Sequence, residues 1–155
     1  MINWITKFDR RIENIYMQIY GTIRYSKNPI KNNNDSWWVV VDVDCYNLCQ
    51  YYRHLFFLAT YKTKKLSRPI WGEHITINYG KEPLDKTLWG RYDGMKISVS
   101  LSKDIGTANA VYWFPVLKPV ELFFYIRTEL GLLDSTINPF HLCLGYLDSE
   151  RKPNV

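Results

Sequence analysis

Histidine and cysteine are scarce in this chain, three of each among 155 residues, and that scarcity removes several function classes at once. Three cysteines do not make a closed disulfide framework, and with three widely spaced histidines no zinc-ligand spacing occurs. No metal and no cofactor is therefore expected. Cys45 and Cys49 fall four residues apart on an expected helix, where they read as buried thiols. No apolar run is long enough to cross a bilayer, and no leader-like segment is read at the N-terminus. The expectation is a reduced, cytoplasmic protein with no membrane partner.

Aromatic residues, in contrast, are abundant: twelve Tyr, seven Phe and six Trp, together with a net charge of +5. Aromatic content and positive charge suit an anionic, base-bearing partner, although a basic protein with an aromatic core has the same composition. A hydrophobic fraction of 46% over this length is enough for the core of one domain.

Periodicity divides the chain into two similar series. Residues 1–15 are expected to be an arm or short helix. Tyr16–Tyr25 alternates as a strand with Tyr16, Gln18, Tyr20, Thr22 and Arg24 on its polar face. An Asn-rich loop follows, then a β-prone run from Trp37 to Val43, expected to be covered on both faces. Asp44 is placed to cap a helix over about Cys45–Thr60, with a stripe of Leu48, Tyr51, Tyr52, Leu55 and Leu58 or Ala59. His54 on that helix reads as a structural or surface residue rather than a catalytic one. The basic loop Tyr61–Pro69 leads to a strand at His74. The second series has strands at Met95–Leu101 and Asn109–Val116, a turn near Gly106, and a helix from Pro119 to Leu130 with Gly131 beyond it. A loop and a second histidine strand complete it, and the polar tail from Asp148 is expected to be loose. The expected fold class is α+β, one domain of two strand-strand-helix-strand lobes around a central cleft.

The two histidine strands carry the chemistry. In Glu73-His74-Ile75-Thr76-Ile77-Asn78, alternation puts His74, Thr76 and Asn78 on one face and the isoleucines on the other. In Phe140-His141-Leu142-Cys143-Leu144, His141 and Cys143 share a face backed by leucines. The histidines are 67 residues apart, in matching frames. For either motif alone, a hydrogen-bonded core histidine is the simpler reading; the pair favours catalysis.

With these motifs the chain resembles the 2H phosphoesterase superfamily, which has two His-x-Thr/Ser motifs on central strands of a bilobal fold. His74-Ile75-Thr76 fits outright; His141-Leu142-Cys143 departs at its last position, where Cys replaces Thr or Ser. The small size and the segments Arg68–His74 and Ile126–Leu132 look most like phage members. The resemblance implies a metal-independent phosphodiesterase with His74, Thr76, His141 and Cys143 as its catalytic set. The substrate it implies is a cyclic oligonucleotide immune signal cut at 3′–5′ linkages, as in a viral counter-defence (anti-CBASS-like) enzyme acting in the host cytoplasm. An RNA-end or 2′,3′-cyclic nucleotide phosphodiesterase, or an inactive nucleotide sponge, stays open.

Such chemistry needs a base, an acid and donors to the phosphoryl oxygens; two imidazoles supply the first two near neutral pH and Thr76 a donor. Cys143 is a weaker donor. Which histidine is acid and which is base depends on substrate direction. Candidate substrate contacts are Lys65 and Arg68 before the first motif, and Tyr16, Tyr20, Trp71 and Trp113 as stacking platforms. A solvated basic loop and core aromatics are the competing readings of the same residues.

Overall fold

The computed structural model describes residues 16–26, 37–80, 82–132 and 138–147. The expected N-terminal arm, the Asn-rich loop and the tail lie outside them. The elements are strands β1 (Tyr16–Ser26) and β2 (Trp38–Val43), helix α1 (Tyr46–Ala59), the short strand β3 (Leu66–Ser67) and β4 (His74–Asn78). After a single 3₁₀ turn at Lys86–Leu88 come β5 (Lys96–Ser102), β6 (Gly106–Ala108), β7 (Val111–Lys118), helix α2 (Val120–Glu129) and β8 (His141–Leu147). The class is α+β.

All pairings are antiparallel. The order β8-β4-β2-β1-β5-β7 closes on itself through a β7–β8 pairing, so six strands form a barrel; β3 extends beside β8 and β6 beside β7. Closure leaves β4 and β8 as neighbours, although 62 residues of chain separate the end of one from the start of the other.

Alternation divides the barrel wall into an apolar and a polar face. Ile23, Val41, Ile75, Val99, Phe114 and Leu142, one from each strand of the ring, are completely buried. Each such side chain contributes about 2 kcal/mol by leaving water. The helices pack on this face: the Tyr52 ring of α1 meets Phe114 edge-on at 5.0 Å, and Phe123 of α2 meets Phe140 at 5.2 Å. The opposite face keeps Tyr16, Gln18, Tyr20 and Arg24 exposed, as their alternation predicts.

Several details differ from the sequence reading. β2 is covered on one face only: Val39 and Val41 are buried while Asp42 is exposed. Helix α1 is rotated from its expected orientation. It buries Cys49, Tyr52 and Arg53, and leaves Tyr51 and Leu58 exposed. Its N-cap is Cys45 with no side-chain cap bond, so Asp44 does not cap it. The turn expected near Gly106 lies at Asn109–Ala110, both in the left-handed region, because Gly106–Ala108 pairs with β7 as a hairpin. Pro119 precedes α2 as its N-cap residue, and Gly131 follows the end of the helix at a φ of 70°. Asn78 leaves the polar face. The β2–β4 register slips between Val39 and Val40, which turns Asn78 inward; it is buried and donates to the Trp37 carbonyl at 3.1 Å.

Candidate active site

The β4–β8 register pairs Ile75 with Leu142. One residue to either side of that pair, His74 stands across from Cys143 and Thr76 across from His141. Residues directly opposite in an antiparallel pair share a face. All four motif side chains therefore lie on the polar face, in an antiparallel and nearly twofold arrangement about the Ile75–Leu142 pair. The apolar residues between them are fully buried, whereas His74, Thr76 and Cys143 are half-buried and His141 is exposed.

Both imidazoles are oriented in the same way. Nδ1 of His74 lies 3.0 Å from the Gly72 carbonyl, and Nδ1 of His141 lies 2.9 Å from the Pro139 carbonyl. A carbonyl only accepts, so each Nδ1 carries the proton and donates it. In the neutral ring Nε2 is then the bare nitrogen, free to take a proton; in the charged ring it is an N–H able to give one. Gly72 adopts a φ of 75°, a conformation that favours glycine, and this turn aims its carbonyl at the ring two residues on.

Beneath His74 is a buried ion pair that sequence reasoning did not find. The Glu73 side chain is 3% exposed and takes Arg53 Nη2 on Oε1 at 2.8 Å. Arg68 completes the set, with Nε on Oε1 at 3.0 Å and Nη2 on Oε2 at 2.6 Å. Arg53 also donates Nε to the Leu144 carbonyl at 2.8 Å and Nη1 to Gln50 at 2.6 Å. Thus one guanidinium on α1 touches the residue before His74 and the residue after Cys143. Burial pushes the Glu73 carboxyl up, but the hydrogen bonds from Arg68 and Arg53 outweigh it and hold the group below its usual value.

The remaining sequence candidates separate into those near the motifs and those away from them. Trp113 pairs with Cys143 across β7–β8, and its indole lies 5.6 Å from the His141 ring. It rests on Gly106, where an added Cβ would fall 2.5 Å from the indole nitrogen, so only glycine admits the ring there. On the other side, His74 pairs with Asp42 and Asp42 with Thr22; Tyr20 is one alternation further along β1, exposed. Tyr16 stands at the start of β1 against Ser102. Trp71 is exposed in the turn before Gly72. Arg68 is engaged by Glu73 and lies over the Tyr46 ring at 4.6 Å, which makes it a support for the His74 strand rather than a free phosphate ligand. Lys65 is carried away: Leu66 pairs with Leu147, so Lys65 lies about 17 Å along β8 from Cys143. Its ammonium sits over Phe57 at 5.3 Å.

Two cavities, of about 540 and 590 Å³, flank Tyr20; neither is lined by a motif histidine. The first is lined by Asp42 and so lies directly beside His74. Among the described residues no group of three or more His, Cys, Asp or Glu is placed to hold a metal ion. No helix among them is long and apolar enough to cross a membrane.

Two outcomes are expected. Glu73→Gln leaves the buried Arg53 guanidinium, and the half-exposed Arg68 beside it, without their charge partner and costs roughly 3 kcal/mol at pH 7. The Glu73 folded-state pKa lies below its usual 4.5, so its stabilisation is fully present above that value and is lost as pH falls through the depressed one. Urea denaturation of both proteins is therefore expected to show the gap shrinking from pH 7 to pH 3; a constant gap would contradict the ion pair. Burial pushes the Cys143 thiol up, so it stays S–H through neutral pH. For the phosphodiesterase activity that the motif resemblance implies, Cys143→Thr replaces this weak donor with a hydroxyl and is expected to raise kcat about fivefold, equivalent to about 1 kcal/mol. Steady-state kinetics reads this directly, and an unchanged kcat would remove Cys143 from the site.

Comparison with protein-family models, with curated proteins and with solved structures gives no match to this chain.

Proposed function

We propose that the protein is a metal-independent phosphodiesterase of the two-histidine type, with the bilobal fold its resemblance implies, acting on a cyclic oligonucleotide or a related nucleotide signal. The observation that carries this reading is the matched pair of imidazoles on adjacent strands. Each is held through Nδ1 by the carbonyl two residues before it, and each presents Nε2 on the same face as a hydroxyl or thiol donor.

In this mechanism one bare Nε2 takes the proton of the nucleophile, a ribose 2′-hydroxyl or a water, as oxygen attacks phosphorus. The other ring, charged, gives its Nε2 proton to the oxygen that leaves. The first ring ends protonated and the second neutral, so the two exchange roles over the cycle. Thr76 donates its hydroxyl to a non-bridging oxygen, where negative charge gathers in the transition state; Cys143 faces the same phosphate from the other strand. Trp113 beside His141 and Tyr20 beyond Asp42 offer an aromatic face on either side of the motif strands. Platforms on both sides suit a substrate that carries a base on each side of the cut linkage. That favours an oligonucleotide over a 2′,3′-cyclic mononucleotide, and with the phage-like segments it supports a counter-defence role.

The test is turnover of cyclic di- and trinucleotides and 2′,3′-cyclic nucleotides in EDTA, with His74→Ala and His141→Ala alongside. Cleavage of the cyclic oligonucleotides is expected to survive EDTA and to fall at least about 10²-fold in each variant. Cleavage of 2′,3′-cyclic compounds alone would move the protein to RNA-end processing. Stoichiometric binding without turnover would make it a sponge.

A further inference from the structure

The 540 Å³ cavity beside His74 has a polarity that the phosphodiesterase chemistry does not use. Its floor is the polar face where β2, β1 and β5 meet, with Tyr20 paired to Ser98 and Thr22 paired to both Asp42 and Lys96. Asp44 stands at its rim, and the volume is in the range of small-molecule pockets. Asp42 is engaged by Arg24, with Nε 3.8 Å from its carboxylate. Asp44 and Lys96, however, have neither an ion pair nor a hydrogen bond from their side chains among the described residues, to each other or to any neighbour. Two opposite charges thus line one cavity without meeting. Tyr20, 68% exposed, supplies a flat ring at its edge.

We infer that this cavity selects a guanine base, stacked on Tyr20, with the Asp44 carboxylate on its N1–H and N2 amino group and the Lys96 ammonium on O6. Guanine carries two adjacent donors and, next to them, an acceptor; a carboxylate accepts both donors side by side, and an ammonium serves O6 or N7. Adenine reverses the pattern. Its ring N1 is an acceptor that would face the carboxylate, and its amino group is a donor that would face the ammonium. Uracil and cytosine are single rings and reach fewer of these groups. The location also fits. Asp42 is the cross-strand partner of His74, and Asp44 is two residues further along the same face, about 8 Å from that histidine in all. That is close to the span of one nucleotide from its phosphate to the far edge of its base.

The phosphate end of this placement rests on the two-histidine reading; the base end does not, and the experiment separates them. Guanosine and adenosine monophosphates, with phosphate at the 5′ or the 3′ position, are titrated calorimetrically into the wild-type protein, Asp44→Asn and Lys96→Met. Both substitutions are at exposed positions, and circular dichroism checks that they fold. The wild type is expected to bind one GMP isomer about 10- to 100-fold more tightly than the matching AMP. Each substitution is expected to bring that ratio within about threefold of unity. The ratio is the readout because removing a charge also shifts the affinity for any phosphate. A wild-type ratio near one, a ratio unchanged in both variants, or no GMP binding at millimolar concentration overturns the inference. Guanine selectivity in a protein that cleaves no phosphodiester would uphold the pocket and remove the catalytic reading. Equal turnover of guanine and adenine substrates with a ratio near one would do the reverse.

Discussion

The buried contact between Arg53 and Glu73 is the constraint on which the site depends. Taking a guanidinium and a carboxylate out of water costs several kcal/mol per ion, and attraction offsets this only when the remaining hydrogen-bonding groups are also satisfied. Here they are well supplied. Arg53 gives Nε, Nη1 and Nη2 to three separate acceptors, and Glu73 takes three N–H donors from two arginines. The geometry of those bonds requires α1, the start of β4 and the middle of β8 to be in place together. The two strands that carry the histidines, far apart in sequence, are thereby tied to one side chain as well as to each other.

The two halves solve the same local problem with different chemistry. Each motif histidine follows a residue turned toward a helix, and each ring is held by a carbonyl two positions back. In the first half the preceding residue is Glu73, met by arginines. In the second it is Phe140, met edge-on by Phe123 and Phe124 of α2 at 5.2 and 5.0 Å, with the Arg127 guanidinium 5.7 Å from its ring. The donor after each histidine differs too, a hydroxyl at Thr76 and a thiol at Cys143. An element order that repeats, with side chains that do not, suits a site whose two sides meet different parts of one substrate.

Much of this was legible in the sequence, because strand alternation is a local property. It placed His74 with Thr76, His141 with Cys143, and Tyr20 on an open face, since each depends only on which neighbours are apolar. What the sequence concealed depends on contacts between distant segments. The buried stripe of α1 runs through Cys49, Tyr52 and Arg53, and an arginine within it made the neighbouring stripe of leucines and tyrosines look more apolar. The stripe through Leu48 is the more apolar by residue type, and the pairing of Arg53 with Glu73 has no local signal. Arg68 reads as a free cation in a basic loop until the fold brings Glu73 to it. Asn78 follows the alternation perfectly well on paper, but a register slip against β2 turns it inward. Barrel closure, which makes β4 and β8 neighbours, has no local signal.

The central claim is that both imidazoles are held through Nδ1 by a carbonyl and turn Nε2 toward one phosphate. Nitrogen-15 NMR of the histidine side chains tests it most directly, in the free protein above the titration of the rings and then with a nucleoside monophosphate added. The account predicts that the rings of His74 and His141 are both protonated at Nδ1 and unprotonated at Nε2, that both Nε2 signals move together as ligand is added, and that the exposed His54 does not follow. A proton on Nε2 of either neutral ring, or a ligand response confined to one of the two, would contradict it.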